Sequence, residues 1–244
     1  MPCNFHILET HREVAILVPK VAAFVPQEAA GPREGLRLQQ LGKRTLDIII
    51  SALGIILLVP VFIILWLAIR LDSPGPAIFL QRRVGRSETL FTCLKFRTLN
   101  HKANEEVHRQ AIRRIWAGER LSDDPNSPYK LTNDSRVTRV GHWLRGTSLD
   151  ELPQLLNVLR GEMSIVGPRP AIPYELEYYQ EWHHERHDVK PGITGAWQVG
   201  GRGRLKLEDM LELDVEYART WNVWTDLKLI ALTIPSVVRG RGAS

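Results

Sequence analysis

Two adjacent acids, Asp150 and Glu151, are the residues of this chain whose type and setting most favour chemistry. They lie in the segment RGTSLDELPQLLNVLRGEMSIVGPRP, residues 145–170, where Ser148 and Glu151 have the spacing of a capping box. This pattern predicts a helix that starts near Asp150, with both carboxylates at its positively polarised end, where anions are stabilised. Acids at such a position usually cap the helix, and a catalytic pair is the alternative.

Basic side chains suited to phosphate binding accompany the acid pair. Arg145 lies just upstream, and Arg169 stands between two prolines that would stiffen its loop. Arg202 lies in the glycine-rich segment 200–204, which would permit close approach of a phosphate, although neither Walker nor Rossmann spacing is present. These residue types indicate a phosphate-bearing ligand, with ordinary surface turns as the alternative.

The overall charge also indicates a polyanionic partner. The chain has 244 residues and a net charge of +5, and the excess of basic residues is concentrated in residues 70–145. Such an excess attracts nucleic acid, anionic lipid or phosphate-bearing substrates alike. We expect no nucleic-acid partner, because the sequence has no zinc-finger spacing, no aromatic ribonucleoprotein motif and no continuous basic helix. The two cysteines, Cys3 and Cys93, form no disulfide framework, which favours the cytoplasm.

One apolar run without charges, Ile48 to Ile69, is long enough to cross a bilayer. Pro60 near its middle predicts a bend, and basic residues flank both ends, which would hold both ends in the cytoplasm. A helix that enters one leaflet, bends at Pro60 and returns satisfies both observations. A single transmembrane helix with a tolerated proline is the equal alternative, and a buried core helix is the weaker one.

The elements that must position the acid pair follow the apolar run. Strands are predicted at Ala77–Gln81 and Leu90–Arg97, and amphipathic helices at Asn104–Trp116, Leu205–Trp221 and Trp224–Val238. We expect the last two helices to lie at the membrane interface. His183, His184 and His187 miss the H-E-x-x-H spacing by one residue, so a solvated helical face is expected there.

These elements predict an α/β fold that is mostly α. It would comprise a poorly ordered N-terminal tail over residues 1–40, a re-entrant membrane helix hairpin over residues 41–71, and a small cytoplasmic α/β catalytic domain with amphipathic interfacial helices over residues 72–244.

Five motifs in a fixed order resemble one known family. They are KRTLD at 43–47, the apolar segment broken by proline, LKFRT at 94–98, SLDELPQLLNVLRGEMSIVGPRP at 148–170, and KPGITGAWQVGGR at 190–202. Together they resemble the bacterial sugar transferases, the monotopic polyprenyl-phosphate phosphoglycosyl transferases. The chain resembles the short form of this family, which lacks a large N-terminal membrane domain. This form is similar to enzymes that initiate exopolysaccharides with galactose- or glucose-phosphate.

The resemblance implies transfer of a sugar 1-phosphate from a UDP-sugar to undecaprenyl phosphate, with release of UMP. Asp150 would be the nucleophile of a covalent aspartyl-phosphosugar intermediate, and Mg²⁺ would be the cofactor, with Asp150 as one ligand. The implied location is the bacterial inner membrane, in contact with its lipid and with the catalytic domain facing the cytoplasm. The donor sugar is not defined by these residues, and a homo-oligomer is left open.

Individual roles also follow from the resemblance. Glu151 would act as acid/base or orienting carboxylate, Lys95 and Asp214 would lie near the catalytic pair, and Arg145, Arg169 and Arg202 would bind substrate phosphates. Two departures stand out, since Val59 precedes Pro60 where the family often has serine, and Gly201 precedes Arg202 where asparagine or serine is common.

Two other functions stay open on the sequence. A nucleotide-sugar glycosyltransferase with a membrane anchor would transfer the sugar without its phosphate and release UDP. A non-enzymatic membrane scaffold would use the acid pair only as a helix cap.

Overall fold

The computed structural model describes residues 33–101, 103–104, 106–122, 134–200 and 205–238, and it is mostly helical with two small sheets, as predicted. The helices are α1 Arg33–Asp72, α2 Glu106–Trp116, α3 Arg139–Thr147, α4 Gln154–Arg160, α5 Ala196–Gly200, α6 Leu207–Thr220 and α7 Val223–Val238. The strands are β1 Ile78–Val84, β2 Leu90–Phe96, β3 Ser164–Val166 and β4 Gly192–Thr194. Short 3-10 helices cover Arg86–Glu88, Leu149–Glu151, Pro173–Tyr178 and Glu181–Asp188.

Helix α1 contains the apolar run and continues without interruption through Pro60. Among the residues described, it is the one helix long and apolar enough to cross a membrane. Its most apolar stretch has a mean hydropathy of 3.2, and only 11% of that stretch is buried. Exposed side chains such as Ile56 and Leu57 form an apolar surface too large for a water-exposed helix. The two separate arms of a hairpin are not seen, so the hairpin stays a prediction.

The N-terminal part of α1 is fixed to the globular body by polar contacts. Lys43 Nζ donates to Asp226 Oδ2 at 2.6 Å, and Asp47 Oδ1 accepts hydrogen bonds from Ser164 Oγ and the Ile165 amide, both at 2.9 Å. Asp47 is 3% exposed and Asp226 is 1% exposed. Because buried carboxylates need such partners, these contacts fix the position of the helix before the apolar run begins.

The C-terminal part of α1 is fixed to the same body. Arg97 donates to the backbone oxygens of Ile69 at 3.3 Å and Ser73 at 2.7 Å. Leu65 and Ile69 are buried in a cluster with Phe96 and Leu144. Both ends of the apolar run therefore rest on one globular body.

The predicted strands are confirmed as an antiparallel hairpin in which Ile78 pairs with Phe96 and Val84 with Leu90. Strand β1 extends three residues beyond the predicted end at Gln81. The second sheet, in which β3 and β4 pair in parallel, was not predicted. Both strands have only three residues, too few for a recognisable alternation.

The predicted helices are confirmed with small changes at their ends, since α2, α6 and α7 correspond to the three amphipathic patterns. Helix α1 begins at Arg33, inside the segment predicted as a tail, and residues 1–32 lie outside the described part of the chain. The contact of α6 and α7 with a membrane interface stays a prediction.

Gly192 is required because its backbone closely approaches Gly167, the residue that follows β3. A Cβ at Gly192 would lie 2.1 Å from the Gly167 amide nitrogen and 2.5 Å from Thr194 O. We expect Gly192→Ala to destabilise the fold by about 3 kcal/mol, because backbone atoms on both sides cannot move aside independently. Fluorescence-detected unfolding in detergent micelles would measure the loss.

Gly146→Ala is the matched control. Gly146 lies in α3, and a Cβ there meets nothing within 4 Å. Alanine should therefore stabilise the helix by up to about 1 kcal/mol. An equal effect of both substitutions would contradict the steric explanation.

Candidate active site

The backbone around the acid pair differs from the predicted capping box. Ser148 has φ +59° and ends α3, and its side chain makes no capping hydrogen bond. Asp150 and Glu151 lie in a 3-10 turn, and α4 begins only at Gln154. Pro153 explains the difference, because its ring fixes φ and is tolerated at a helix start, not inside one. The pair therefore precedes α4 and is not in its first turn.

Two leucines attach this 3-10 turn to helix α1. Leu149 and Leu152, on either side of the acids, pack against the cluster that contains Leu65 and Ile69 of α1. The acid pair is thus held between two apolar contacts with the end of the apolar run, while both carboxylates stay half-buried.

Lys95 is brought to Glu151, as the resemblance implied. The Lys95 Nζ atom lies 2.9 Å from Glu151 Oε1, and both side chains keep about a quarter of their surface exposed. Strand β2 positions Lys95, and the Leu94 amide of that strand donates to Asn157 Oδ1 at 3.0 Å, which fixes β2 against α4. The ammonium is therefore placed to offset negative charge at the pair.

Arg145 lies on the other side of the pair. Its Nε donates to Thr98 Oγ1 at 3.0 Å. Burial lowers the pKa of Arg145, and the charge of Asp150 opposes this shift, so the two groups are within electrostatic range. A partly desolvated guanidinium beside a carboxylate is suited to bind phosphate oxygens.

Arg169 lies in the loop after β3 and faces Glu175, with its Nη1 3.4 Å from Glu175 Oε1. Glu175 also accepts from the Ile172 amide at 2.9 Å. Although burial opposes it, Arg169 and then Arg83 hold the pKa of Glu175 below its ordinary value. About a third of the Arg169 side chain stays exposed.

Asp214 is connected to the site through another residue. It is buried on α6 in an ion pair with Arg186, whose Nη2 also donates to Arg169 O at 2.8 Å. Burial raises the pKa of Asp214 to about 6, and Arg186 opposes the shift. The structure therefore places Asp214 beneath the Arg169 loop, where it supports the position of that arginine. Arg202 lies outside the described residues.

Arg83 is a site residue that the sequence did not single out. It is 6% exposed, and it donates to Pro170 O at 2.7 Å and to Gln81 Oε1 at 2.7 Å. Burial, then the charge of Arg169, lowers its pKa to about 10. The register of the hairpin could have revealed it, because Arg83, opposite Phe91, shares a sheet face with Lys95.

The histidine prediction was wrong. His183 is 2% exposed and His187 is 5% exposed, inside a 3-10 helix packed against Tyr179 and Trp116. The spacing suggested a solvated face, but aromatic neighbours bury both rings. In the described part of the chain, no group of three His, Cys, Asp or Glu side chains could hold a metal ion.

Comparison with known proteins identifies the family. Residues 38–240 match the family of bacterial sugar transferases. The exopolysaccharide production protein ExoY of Rhizobium meliloti is 36% identical over 224 residues, which cover 90% of this chain and 94% of ExoY. The undecaprenyl-phosphate galactose phosphotransferase of Salmonella typhimurium is 41% identical over 82% of this chain and 41% of its own length. The UDP-glucose:undecaprenyl-phosphate glucose-1-phosphate transferase of Escherichia coli is 41% identical over 95% of this chain and 46% of its own length.

The chain therefore belongs to the bacterial sugar transferase family, and the resemblance and the predicted enzyme class, a transferase, are confirmed. It spans nearly the whole of ExoY but less than half the length of several other curated relatives that it matches. The roles of the individual site residues stay predictions.

Buried histidines should make the fold sensitive to acid. Burial is the main cause that lowers the pKa of both His108 and His187 to about 4. Between pH 4 and about 6.5 the unfolded chain binds more protons than the folded one, so stability falls as the pH falls through this range. We expect each histidine to contribute up to about 1.4 kcal/mol per pH unit.

Chemical denaturation at several pH values would measure this dependence. His187→Gln should remove its share of the slope, whereas His142→Gln, at an exposed position, should leave the slope unchanged. Equal slopes for wild type and His187→Gln would show that the folded state protonates His187 without cost.

Proposed function

We propose that the chain transfers a sugar 1-phosphate from a UDP-sugar to undecaprenyl phosphate and releases UMP. The observation that carries this proposal is the acid pair, held against the end of the apolar helix by Leu149 and Leu152 and flanked by Lys95 and Arg145. This arrangement supports the proposal because two carboxylates, two cations and an exposed apolar helix lie close together. The names of the Salmonella and Escherichia coli relatives support the same reaction.

In the first step a carboxylate oxygen of Asp150 attacks the β-phosphorus of the UDP-sugar. A P–O bond to Asp150 forms, the bond from the β-phosphorus to the bridging oxygen breaks, and that oxygen leaves with UMP. In the second step an oxygen of undecaprenyl phosphate attacks the same phosphorus, and the Asp150 carboxylate leaves. The sugar 1-phosphate then becomes a sugar diphosphate of the lipid, and Asp150 is regenerated.

The surrounding residues have distinct roles in this scheme. Arg145 binds phosphate oxygens and offsets the charge that develops on the transferred phosphoryl group. Lys95 neutralises Glu151 and so lowers the repulsion that a second carboxylate would exert on an incoming diphosphate. Glu151 orients the reacting group, and Arg169 binds the diphosphate from the loop that Asp214 and Arg186 support.

The residues fit a magnesium ion that is held mainly by the substrate. Mg²⁺ is commonly bound by one or two carboxylates together with substrate phosphates, and the half-buried Asp150 and Glu151 can supply the carboxylate oxygens. When bound, the metal would offset the charge of the diphosphate.

The location follows from the attachment of α1. Because Lys43 and Asp47 before the apolar run and Ile69 at its end contact one body, we propose that both ends lie on the cytoplasmic side of the bacterial inner membrane. The helix would then enter one leaflet and return, with Pro60 as the bend. This position holds the acid pair at the depth of a lipid phosphate.

Release of UDP is the competing outcome, since a glycosyltransferase would leave both phosphates on the nucleotide. The cations beside the acid pair fit both reactions. The released nucleotide distinguishes them, because sugar-phosphate transfer yields UMP and sugar transfer yields UDP.

The first test is nucleotide release by the purified chain in lipid with undecaprenyl phosphate, Mg²⁺ and UDP-glucose or UDP-galactose. We expect UMP, and we expect Asp150→Asn to lower its release at least about 10³-fold, because an amide oxygen is a poor nucleophile. Without the lipid acceptor, wild type should release about one UMP per active site and then stop.

Asp188→Asn is the matched control, because it makes the same change at an exposed position and should keep full activity. Release of UDP, or full activity of Asp150→Asn, would refute the proposed reaction.

Cysteine labelling tests the topology. Gln40→Cys and Leu71→Cys introduce thiols at exposed positions on either side of the apolar run, in a Cys3→Ser background with the buried Cys93 retained. We expect a membrane-impermeant maleimide to label both in inside-out vesicles and neither in intact spheroplasts. Labelling of one position from each side would instead show a helix that crosses the membrane.

A further inference from the structure

Lys190 is a half-buried cation close to Arg44. It directly precedes Pro191 and β4, and its Nζ makes no hydrogen bond or ion pair with the residues that the structure describes. Burial, and then the charge of Arg44, lowers the pKa of this ammonium, with Asp47 opposing the shift. A partly desolvated ammonium that other cations surround favours the binding of an anion.

Arg44 presents a second, fixed cation beside it. The Arg44 guanidinium donates from Nη1 to Val158 O at 2.6 Å and from Nη2 to Leu159 O at 2.7 Å. These bonds to the last carbonyls of α4 hold the side chain in place and occupy two of its N–H groups. The remaining N–H groups of a guanidinium can bind a ligand without further ordering.

Gly161 leaves a gap between these two cations. The position that a Cβ of Gly161 would occupy lies 3.5 Å from Lys190 Nζ and 3.6 Å from Arg44 Nη2. Gly161 has φ +85°, where glycine is favoured, so the gap is a consequence of how α4 ends. A phosphate group placed over Gly161 could form charge-assisted hydrogen bonds to both nitrogens.

The charges around the gap favour an anion. Arg160 is exposed next to Gly161, and Arg86 and Lys43 add positive charge at Lys190. Asp47 is the acid that acts on Lys190, and its Oδ1 is already bound to Ser164 and Ile165. The charged side chains that act on Lys190 are therefore mostly positive.

Insertion of the apolar run into a bilayer would bring the gap close to the lipid headgroups. Arg44 precedes the apolar run at Ile48 by one turn of α1, and cations at such a position contact lipid phosphates. The acid pair lies at the opposite end of α4, roughly 10 Å away along a helix that rises 1.5 Å per residue. The two sites are therefore separate.

We propose that Arg44 and Lys190, on either side of Gly161, form a binding site for the phosphate of an anionic membrane lipid. The ligand is either the headgroup of an anionic phospholipid or the phosphate of a polyprenyl phosphate. The site does not depend on Asp150, so its test is independent of the proposed reaction.

Native mass spectrometry of the full chain in detergent can test the site with phosphatidylglycerol, phosphatidylcholine and undecaprenyl phosphate as probes. We expect Lys190→Gln to weaken binding of an anionic lipid about five- to tenfold, as expected for one lost contact of about 1 kcal/mol. Lys190→Arg should restore binding, and Lys206→Gln, which removes one exposed charge, should leave it unchanged. Asp150→Asn should bind like wild type.

The probes separate the two sources of the phosphate. Weakened binding of phosphatidylglycerol assigns the site to a membrane phospholipid, and weakened binding of undecaprenyl phosphate alone assigns it to the acceptor. Unchanged binding of both anionic lipids by Lys190→Gln would overturn the proposal. An equal loss in Lys190→Arg would overturn it as well, because the charge is kept there.

Discussion

The network around Lys43 is the interaction on which the rest of the structure depends. Lys43 Nζ donates to Asp226 Oδ2 at 2.6 Å, to Val166 O at 2.9 Å and to Tyr217 Oη at 3.1 Å, so all three of its N–H groups are used. It thereby joins α1 to β3, α6 and α7. Loss of one partner would leave a buried charge uncompensated, which costs about 3–5 kcal/mol. The N-terminal part of α1 is therefore part of the folded core and not an appended segment.

The position of the acid pair depends on this attachment. Leu149 and Leu152 rest on the far end of α1, so the helix determines where the 3-10 turn lies. The turn holds two carboxylates side by side, and like charges at this separation repel unless cations lie close. Lys95 and Arg145 supply them from β2 and α3, two elements that also contact α1 through Phe96 and Leu144.

Hydrophobic periodicity predicted the helices and strands well where the periodic segment is long. The apolar run, the β1–β2 hairpin and helices α2, α6 and α7 all followed from periodicity. The family resemblance implied that Lys95 lies near the acid pair, which periodicity alone could not indicate, and in the structure Lys95 contacts Glu151.

Three features could not be predicted, for different physical reasons. The β3–β4 pair is too short for alternation and depends on a close backbone approach at Gly192. The capping box predicted from spacing is absent because Pro153 delays the start of α4, and this local constraint is stronger than the spacing. The burial of Arg83 depends on its tertiary contact with Pro170, and a charged residue in a strand is ordinarily expected to be exposed.

The Arg83 contact also explains why the site contains buried charged side chains that take no part in the proposed reaction. Arg83 binds Pro170 O while Arg186 binds Arg169 O, so two buried guanidinium groups hold consecutive carbonyls of one loop. Glu175 and Asp214 compensate these charges from opposite sides. A loop of such irregular backbone cannot be fixed by a sheet or helix ladder, and these side chains supply the missing hydrogen bonds. The backbone that carries Arg169 is thereby held in one position.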